Sequence, residues 1–173
     1  MGSEKILMEV IRKRRSIRRF LPKKIEGGKL DFIIEAARLA PSANNRQEWR
    51  FILVTDDEVK KNVSAAAKNP DLILQAAALF VVCAETDERV MTCGQTGYTV
   101  DCAIAITHMV LAAESLGLGS CWVGAFYEDR VKKILGIPEK IRVAGLLPVG
   151  YPDESPPATS RLSKEQIMHY DKW

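Results

Sequence analysis

The spacing of hydrophobic residues distinguishes the predicted helices of this chain from its predicted strands. Apolar residues spaced for one helical face occur over residues 4–14 and again over residues 30–37, after Gly27 and Gly28 and before Pro41. Short runs rich in branched and aromatic residues predict four strands, at 49–55, 78–85, 120–126 and 141–151. Two polar-faced helices with acidic residues near their starts are predicted over 56–68 and 127–136.

Residues 100–116 form a run that is apolar on almost every side and long enough for a helix, which ends at Gly117. A helix without a polar face must be buried on most sides. The apolar residues that circle its axis are Ala103, Ile104, Ala105, Ile106, Met109, Val110, Leu111 and Ala112. Because one sheet cannot cover all of these faces, a second copy of the helix in a two-fold homodimer is the simplest cover.

The interleaving of helices and buried strands predicts one domain over residues 1–173, with an α+β or α/β sandwich. Lysine and arginine number 25 against 22 acidic residues, and a net charge of +3 is small for a protein that wraps nucleic acid. We find neither a signal peptide nor an apolar run long enough for a membrane span, so we expect no membrane partner. Four cysteines without C-x-x-C spacing are typical of reduced thiols, which predicts a cytoplasmic protein.

The segment RKRRSIRRF, residues 12–20, concentrates basic residues around Ser16. Three explanations are open for it. It could be a solvated helix end favoured by the helix dipole, or a nucleic-acid patch, although aromatic interleaving is missing. It could also bind a phosphate, because arginine offers a rigid fork of donors and serine adds a hydroxyl.

Two further segments carry candidate binding groups. The segment APSANNRQEWRF, residues 40–51, contains turn residues, but the amides of Asn45 and Gln47 could also bind the edge of a heterocycle. The segment LGLGSCWVGAF, residues 116–126, has three glycines without dinucleotide or phosphate-loop spacing. These glycines fit either a capped helix with a packed turn or a close approach of backbone to a flat ligand.

Side chains that could catalyse a reaction without a cofactor are scarce in this sequence. Of the two histidines, His108 is interpreted as a core residue of the long helix, and His169 lies in the tail. We find no serine-nucleophile motif and no metal-ligand spacing, so we expect no bound metal and no catalytic side chain. A bound cofactor is therefore expected to carry the chemistry.

Three segments together, RRSIRRF, APSANNRQEWRF and DCAIAITHMVLAAESLGLGSCWVGAF, resemble in order and spacing the motifs of the nitroreductase family of FMN-dependent flavoproteins. The resemblance spans essentially the whole chain and includes Arg161 in the tail. Asn44 and Glu48 depart from it, because many members have glycine and proline there. The resemblance implies a three-layer α-β-α sandwich of the α+β class, with a central, mostly antiparallel sheet flanked by helices and a long buried helix between two subunits.

The resemblance also implies which residues hold FMN. The phosphate, the ribityl chain or the ring edge would be contacted by Arg14, Ser16 and Arg18, with Arg15 alongside, and Arg161 would help to hold the phosphate. The FMN bound mainly by the partner subunit would be reached by Pro41, Ser42, Ala43, Asn45 and Gln47. The isoalloxazine would lie along Trp122, Val123 and Gly124, largely against their backbone.

The activity that the resemblance implies is that of an FMN-dependent NAD(P)H oxidoreductase. NADH or NADPH would donate hydride to the flavin N5, and nitro compounds, quinones or related small acceptors would then take up the electrons in a ping-pong sequence. The short link between the second strand and the long helix leaves no room for a large lid, which favours a permissive site. Two alternatives stay open, a non-catalytic flavin-binding or carrier module of the same fold and a basic nucleic-acid-binding domain.

Overall fold

The computed structural model describes residues 3–173, with side chains from Ile6 onward. The helices are α1 (Ser3–Lys13), α2 (Gly27–Arg38), α3 (Asp57–Ser64), α4 (Pro70–Leu74), α5 (Gly97–Ser115), α6 (Glu128–Leu135) and α7 (Lys164–Ile167), with a short 3-10 turn at Ala43–Asn45. The strands are β1 (Trp49–Val54), β2 (Ala78–Glu85), β3 (Gly119–Ser120) and β4 (Ile141–Gly150).

The four strands form one sheet in the order β1-β2-β4-β3, and every neighbouring pair is antiparallel. Along β2, alternate side chains enter two separate apolar clusters, as the period of a strand requires. One cluster joins the sheet to α3, α4 and α6, and the other joins it to α2 and α5. Helices therefore cover both faces, which confirms the predicted α+β fold with three α-β-α layers.

Local signals explain several element ends. The Asp56 carboxylate accepts a hydrogen bond from the Val59 N–H at 2.9 Å and so caps the start of α3. Gly136 adopts a left-handed conformation that ends α6. Helix α4 starts with Pro70, a position where the missing N–H costs nothing, and the sequence pattern did not predict it.

The predicted third strand, 120–126, is wrong in its extent, because only Gly119–Ser120 pairs regularly with β4. The next position of β4 on this ladder is Pro148, which has no N–H to donate. The segment still follows β4 less regularly. The Cys121 N–H donates to the Pro148 carbonyl at 3.3 Å, and Val123 and Leu146 exchange two hydrogen bonds of 2.8 and 3.0 Å.

Helix α5 buries one side and leaves a strip of the other side uncovered. Ala105, Ile106 and Met109 are fully buried in the core, whereas Val110 and Leu111 are only partly covered. Helix α1 packs against α5 and exposes a row of large apolar side chains, Ile6, Leu7, Met8 and Ile11. Within residues 3–173, no helix combines the length and the apolar character that a membrane span needs.

Candidate functional site

A cavity of about 450 Å³ opens between the end of α1, the uncovered strip of α5 and the segment around β3. Its volume falls in the range of roughly 300–1,000 Å³ that is typical of small-molecule sites. The residues that line it are Ile11, Arg14, Ser16, Thr107, Val110, Leu111, Ser120 and Trp122. Three residues predicted from the sequence, Arg14, Ser16 and Trp122, are thus brought together here.

Backbone pairing places Ser16 in the cavity wall. Ser16 forms a parallel bridge with Ser120, and the Ile17 N–H donates to the Ser120 carbonyl at 3.0 Å. This pairing depends on Gly119, because a Cβ at that position would lie 2.7 Å from Ile17 Cβ. The glycine-rich segment therefore permits two stretches of backbone to approach each other, and both present side chains to the cavity.

The adjacent arginines Arg14 and Arg15 have different roles. Arg15 Nη1 donates to the carbonyls of Arg12, Lys13 and Arg14 at 2.7, 3.2 and 2.8 Å, so this side chain caps the end of α1. Among the residues that the structure describes, the Arg14 guanidinium has no hydrogen-bond acceptor and no acidic partner. Arg14 therefore presents a fork of donors to an anion in the cavity.

Arg18 is exposed, and its Nη1 lies 3.5 Å from the Ser16 carbonyl oxygen. Its backbone N–H donates to the Glu154 carboxylate, which also pairs with Arg19. The acidic group thus offsets part of the charge of the basic segment. Because Glu154 does not pair with Arg14, the end of the cavity beside Arg14 stays electropositive.

The Cys121 thiol borders this basic segment. Burial raises the pKa of Cys121, while the cations Arg18 and Arg14 and a hydrogen bond with Ser16 oppose the shift without cancelling it. A thiol with a raised pKa stays protonated near neutral pH and is a poor nucleophile.

The loop of residues 41–47 lies at the other end of α5 and, within the described part of the chain, contributes nothing to the cavity wall. Three of its residues, Asn44, Asn45 and Gln47, have φ values of 53°, 55° and 50°. The Gln47 N–H donates to Ser42 Oγ at 3.0 Å, and the Ala43 N–H donates to Asp101 Oδ1 at 3.1 Å. One chain alone therefore keeps this loop apart from Arg14 and Ser16.

The remaining predicted residues differ in their access to the cavity. Trp122 is 45% exposed and forms part of the wall, whereas Val123 is buried and its N–H and carbonyl are both bonded to Leu146. Gly124 is exposed beyond it, outside the cavity wall. Arg161 is exposed in the tail and donates to the carbonyls of Thr159 and Ser160. Neither Gly124 nor Arg161 is brought to the cavity by its own chain.

Comparison with known proteins identifies the family. The Nitroreductase family matches residues 11–95 and 64–151. A relative from Archaeoglobus fulgidus is 37% identical over 173 residues, which cover 96% of this chain and 98% of the relative.

The chain belongs to the nitroreductase family.

Two further members illustrate what this family contains. An NADPH-flavin oxidoreductase of Vibrio harveyi is 30% identical over 178 residues, covering 96% of this chain and 74% of that protein. The solved structure of an FMN-dependent nitroreductase from Clostridium difficile R20291 has a TM-score of 0.85 at 28% identity, covering 96% of this chain and 99% of that chain. The recognition of the family from three sequence motifs is thereby confirmed.

Several residues of this nitroreductase-family cavity were not predicted from the sequence. They are Ile11, Thr107, Val110, Leu111 and Ser120. Thr107 interrupts the apolar run of α5, and Val110 and Leu111 follow it three and four positions later, on the same side of the helix. The polar Thr107 on a largely apolar helix could therefore have indicated that this side of α5 forms part of a binding site.

His108, the histidine of α5, has a structural role. Its Nδ1 lies 3.1 Å from the Ala36 carbonyl oxygen in α2, and a carbonyl can only accept, so Nδ1 must carry the proton. This bond joins the two helices of one layer. His108 is only partly buried, so it is not the core residue that the sequence interpretation expected, but its Nδ1 is paired. Within the described residues, no group of three His, Cys, Asp or Glu side chains could hold a metal ion.

Proposed function

We propose that this protein is an FMN-dependent NAD(P)H oxidoreductase that reduces nitro compounds, quinones or related small acceptors. The observation that carries the proposal is the cavity beside α5, with the unpartnered guanidinium of Arg14 and the hydroxyl of Ser16 at one end and the half-exposed ring of Trp122 in its wall. These groups fit a ligand with a phosphate at one end and a flat ring system at the other. The family relationship supports the same reading.

Arg14 would hold the phosphate by a bidentate contact, and Ser16 would add a hydroxyl donor. Trp122 would contact the flat ring, while the apolar side chains of Val110 and Leu111 would exclude water from its edge. Arg15 would act indirectly, because its cap on α1 holds the segment that carries Arg14. Bound FMN would accept hydride from NADH or NADPH and pass electrons on to the acceptor.

The site is proposed to be completed by a second copy of this chain. Support comes from the uncovered strip of α5 and from the exposed apolar side chains of α1, Ile6, Leu7, Met8 and Ile11, of which Ile11 lines the cavity. An isologous contact would bury both surfaces at once. It would also bring the partner's loop 41–47 to the flavin, since that loop lies too far along α5 to reach the cavity of its own chain.

The proposed kinetic scheme is ping-pong, with nicotinamide and acceptor using the same space in turn. The cavity beside α5 would accommodate both in turn, which supports this scheme. The side chains that line it in the described part of the chain include no histidine, aspartate or glutamate, and the nearby Cys121 thiol stays protonated. The chain would bind and orient the cofactor and supply positive charge at one end. All four cysteines are free thiols, which suits the proposed cytoplasmic location.

Anaerobic titration of the purified, flavin-loaded protein tests the proposal. We expect a yellow protein whose visible absorbance bleaches with NADH or NADPH and returns on addition of a quinone or nitro compound. A yellow protein that neither nicotinamide bleaches would favour the carrier module. A colourless protein that does not take up added FMN would refute the flavin site altogether.

A further inference from the structure

Asp101 lies on the buried side of α5 and is only 3% exposed. Its Oδ1 accepts a hydrogen bond from the Ala43 N–H at 3.1 Å, and within the described part of the chain its Oδ2 is buried without a partner. No lysine or arginine among those residues forms an ion pair with it. A buried carboxylate with one unpaired oxygen lowers the stability of the fold, so packing alone does not account for an aspartate here.

The segment that Asp101 holds has an unusual backbone. Ala43 begins the 3-10 turn, and three of the next four residues, Asn44, Asn45 and Gln47, adopt positive φ although none is glycine. Such conformations are seldom adopted by L residues and persist where surrounding contacts hold them. Contacts within the loop and with neighbouring elements must therefore hold this shape.

Most hydrogen bonds of the loop are internal. The Asn45 N–H donates to the Ser42 carbonyl at 3.0 Å, and the Gln47 N–H donates to the Ser42 hydroxyl at 3.0 Å. At its far end, Arg46 pairs with Asp87 at 2.8 Å. At its near end, the bond from Ala43 to Asp101 fastens the loop to α5, so loss of the Asp101 acceptor would release that end.

We propose that Asp101 is a positioning residue, which holds loop 41–47 in the shape that contacts the flavin of the partner subunit. This inference rests on the proposed function, because that function assigns the loop to the flavin. Helix α5 carries Asp101 and also Val110 of the cavity wall, nine residues later, or about 13 Å along the axis. The helix therefore sets the distance between the cavity and the loop.

The test uses hydrogen exchange on the 173-residue chain without added flavin, followed by FMN titration. The variant Asp101→Leu removes the acceptor at similar volume, and Asp101→Ala removes it without added bulk. Asp101→Asn keeps a carbonyl that can accept from Ala43. The matched control is Thr99→Val, which removes another side-chain hydrogen bond at the same end of α5, from Thr99 Oγ1 to the Thr96 carbonyl.

We expect amide exchange over residues 42–47 to rise about tenfold in Asp101→Leu and Asp101→Ala, while β2 and the rest of α5 stay protected. The dissociation constant for FMN should rise about five- to tenfold, as expected for one lost hydrogen bond. Asp101→Asn and Thr99→Val should both behave like the wild type. Rescue by Asn separates a hydrogen-bond acceptor from a general effect of the buried charge.

Two results would overturn the inference. One is unchanged exchange and unchanged FMN affinity in both Asp101→Ala and Asp101→Leu. The other is loss of protection throughout α5 and β2 in those variants, or in Asp101→Asn, because that pattern means a role in global stability. Wild-type protein that binds no FMN would refute the proposed function instead, and the exchange data would still decide whether Asp101 anchors the loop.

Discussion

The indole of Trp122 lies directly over Gly145 of β4, so closely that a Cβ at position 145 would be 2.7 Å from Trp122 Nε1. The same Cβ would lie 3.1 Å from Ile106 Cδ1. Because the half-exposed ring forms part of the cavity wall, the missing side chain of Gly145 sets the position of that wall. A residue in the sheet thus controls the shape of the site without lining it.

We predict that Gly145→Ala displaces Trp122 and weakens FMN binding. Overpacking of this kind costs roughly 1–3 kcal/mol of stability, but the ring can move outward, so the fold should survive. The change in tryptophan emission relative to the wild type, in which Trp49 and Trp173 contribute a common background, and FMN titration measure the two effects on one sample. Gly28→Ala is the control, because nothing lies within 4 Å of a Cβ there and its backbone suits alanine. Unchanged FMN affinity in Gly145→Ala would contradict the predicted coupling.

Arg14→Ala should lower the affinity for FMN by about tenfold or more, since a charge-assisted hydrogen bond contributes roughly 1.5–3 kcal/mol. Affinity for riboflavin, which has no phosphate, should change far less. Arg15→Ala is the matched comparison. It removes the cap on α1, so it should destabilise that helix and weaken both ligands by a similar factor. Equal losses for both ligands in Arg14→Ala would refute the phosphate contact.

Val110→Asp should be tolerated by the single chain, because Val110 is only partly covered, yet it should prevent assembly. In a dimer the unpaired carboxylate would be buried, at a cost of several kcal/mol. Sedimentation and visible absorbance on the same sample should show assembly and bound flavin disappearing together.

Val110 also lines the cavity, so a second variant is needed. Leu7→Asp changes an exposed residue of α1 outside the cavity wall and should have the same two effects. Ile134→Asp, at an exposed apolar position on α6, is the control and should leave both measurements unchanged. A monomeric Leu7→Asp protein that keeps one tightly bound FMN per chain would show that the site does not depend on the dimer.

Glu128 joins α6 to β4 and makes the stability dependent on pH. Burial raises the pKa of Glu128, but hydrogen bonds from Arg142 at 3.0 Å and from the Val143 N–H at 2.8 Å outweigh it and leave the pKa below its ordinary value of 4.5. A lowered pKa in the folded state means that this contribution is present above pH 4.5 and is lost as the pH falls through the folded pKa.

Glu128→Gln should therefore lower the free energy of unfolding at pH 7 by roughly 1.5–3 kcal/mol. The difference from the wild type should shrink at low pH, once the wild-type carboxylate is protonated. Urea unfolding at several pH values measures it. A difference that stays constant from pH 7 to pH 3 would mean that the charge of the carboxylate does not cause the effect.

The spacing of hydrophobic residues determined where most helices and strands form, because an element that buries one face needs apolar residues at regular intervals along its own sequence. This spacing predicted β2 over its exact length of residues 78–85, and it predicted α5 to within a few residues. Motifs over the basic segment, the loop and the glycines identified the family. Each of these patterns involves residues that are close together in the sequence, so a single sequence is enough to recognise it.

Contacts between distant segments decided the rest. Pro148 shortened the third strand from across the sheet, and packing against β4 buried Ile106 while leaving Val110 on the open strip. Arg14 and Arg15 are neighbouring residues of the same type, and the sequence does not distinguish them. In the structure, the Arg15 side chain turns back to cap α1, whereas the Arg14 side chain points into the cavity. Such outcomes depend on which surfaces pack together in the folded chain, and contacts between distant segments produce no regular pattern in the sequence.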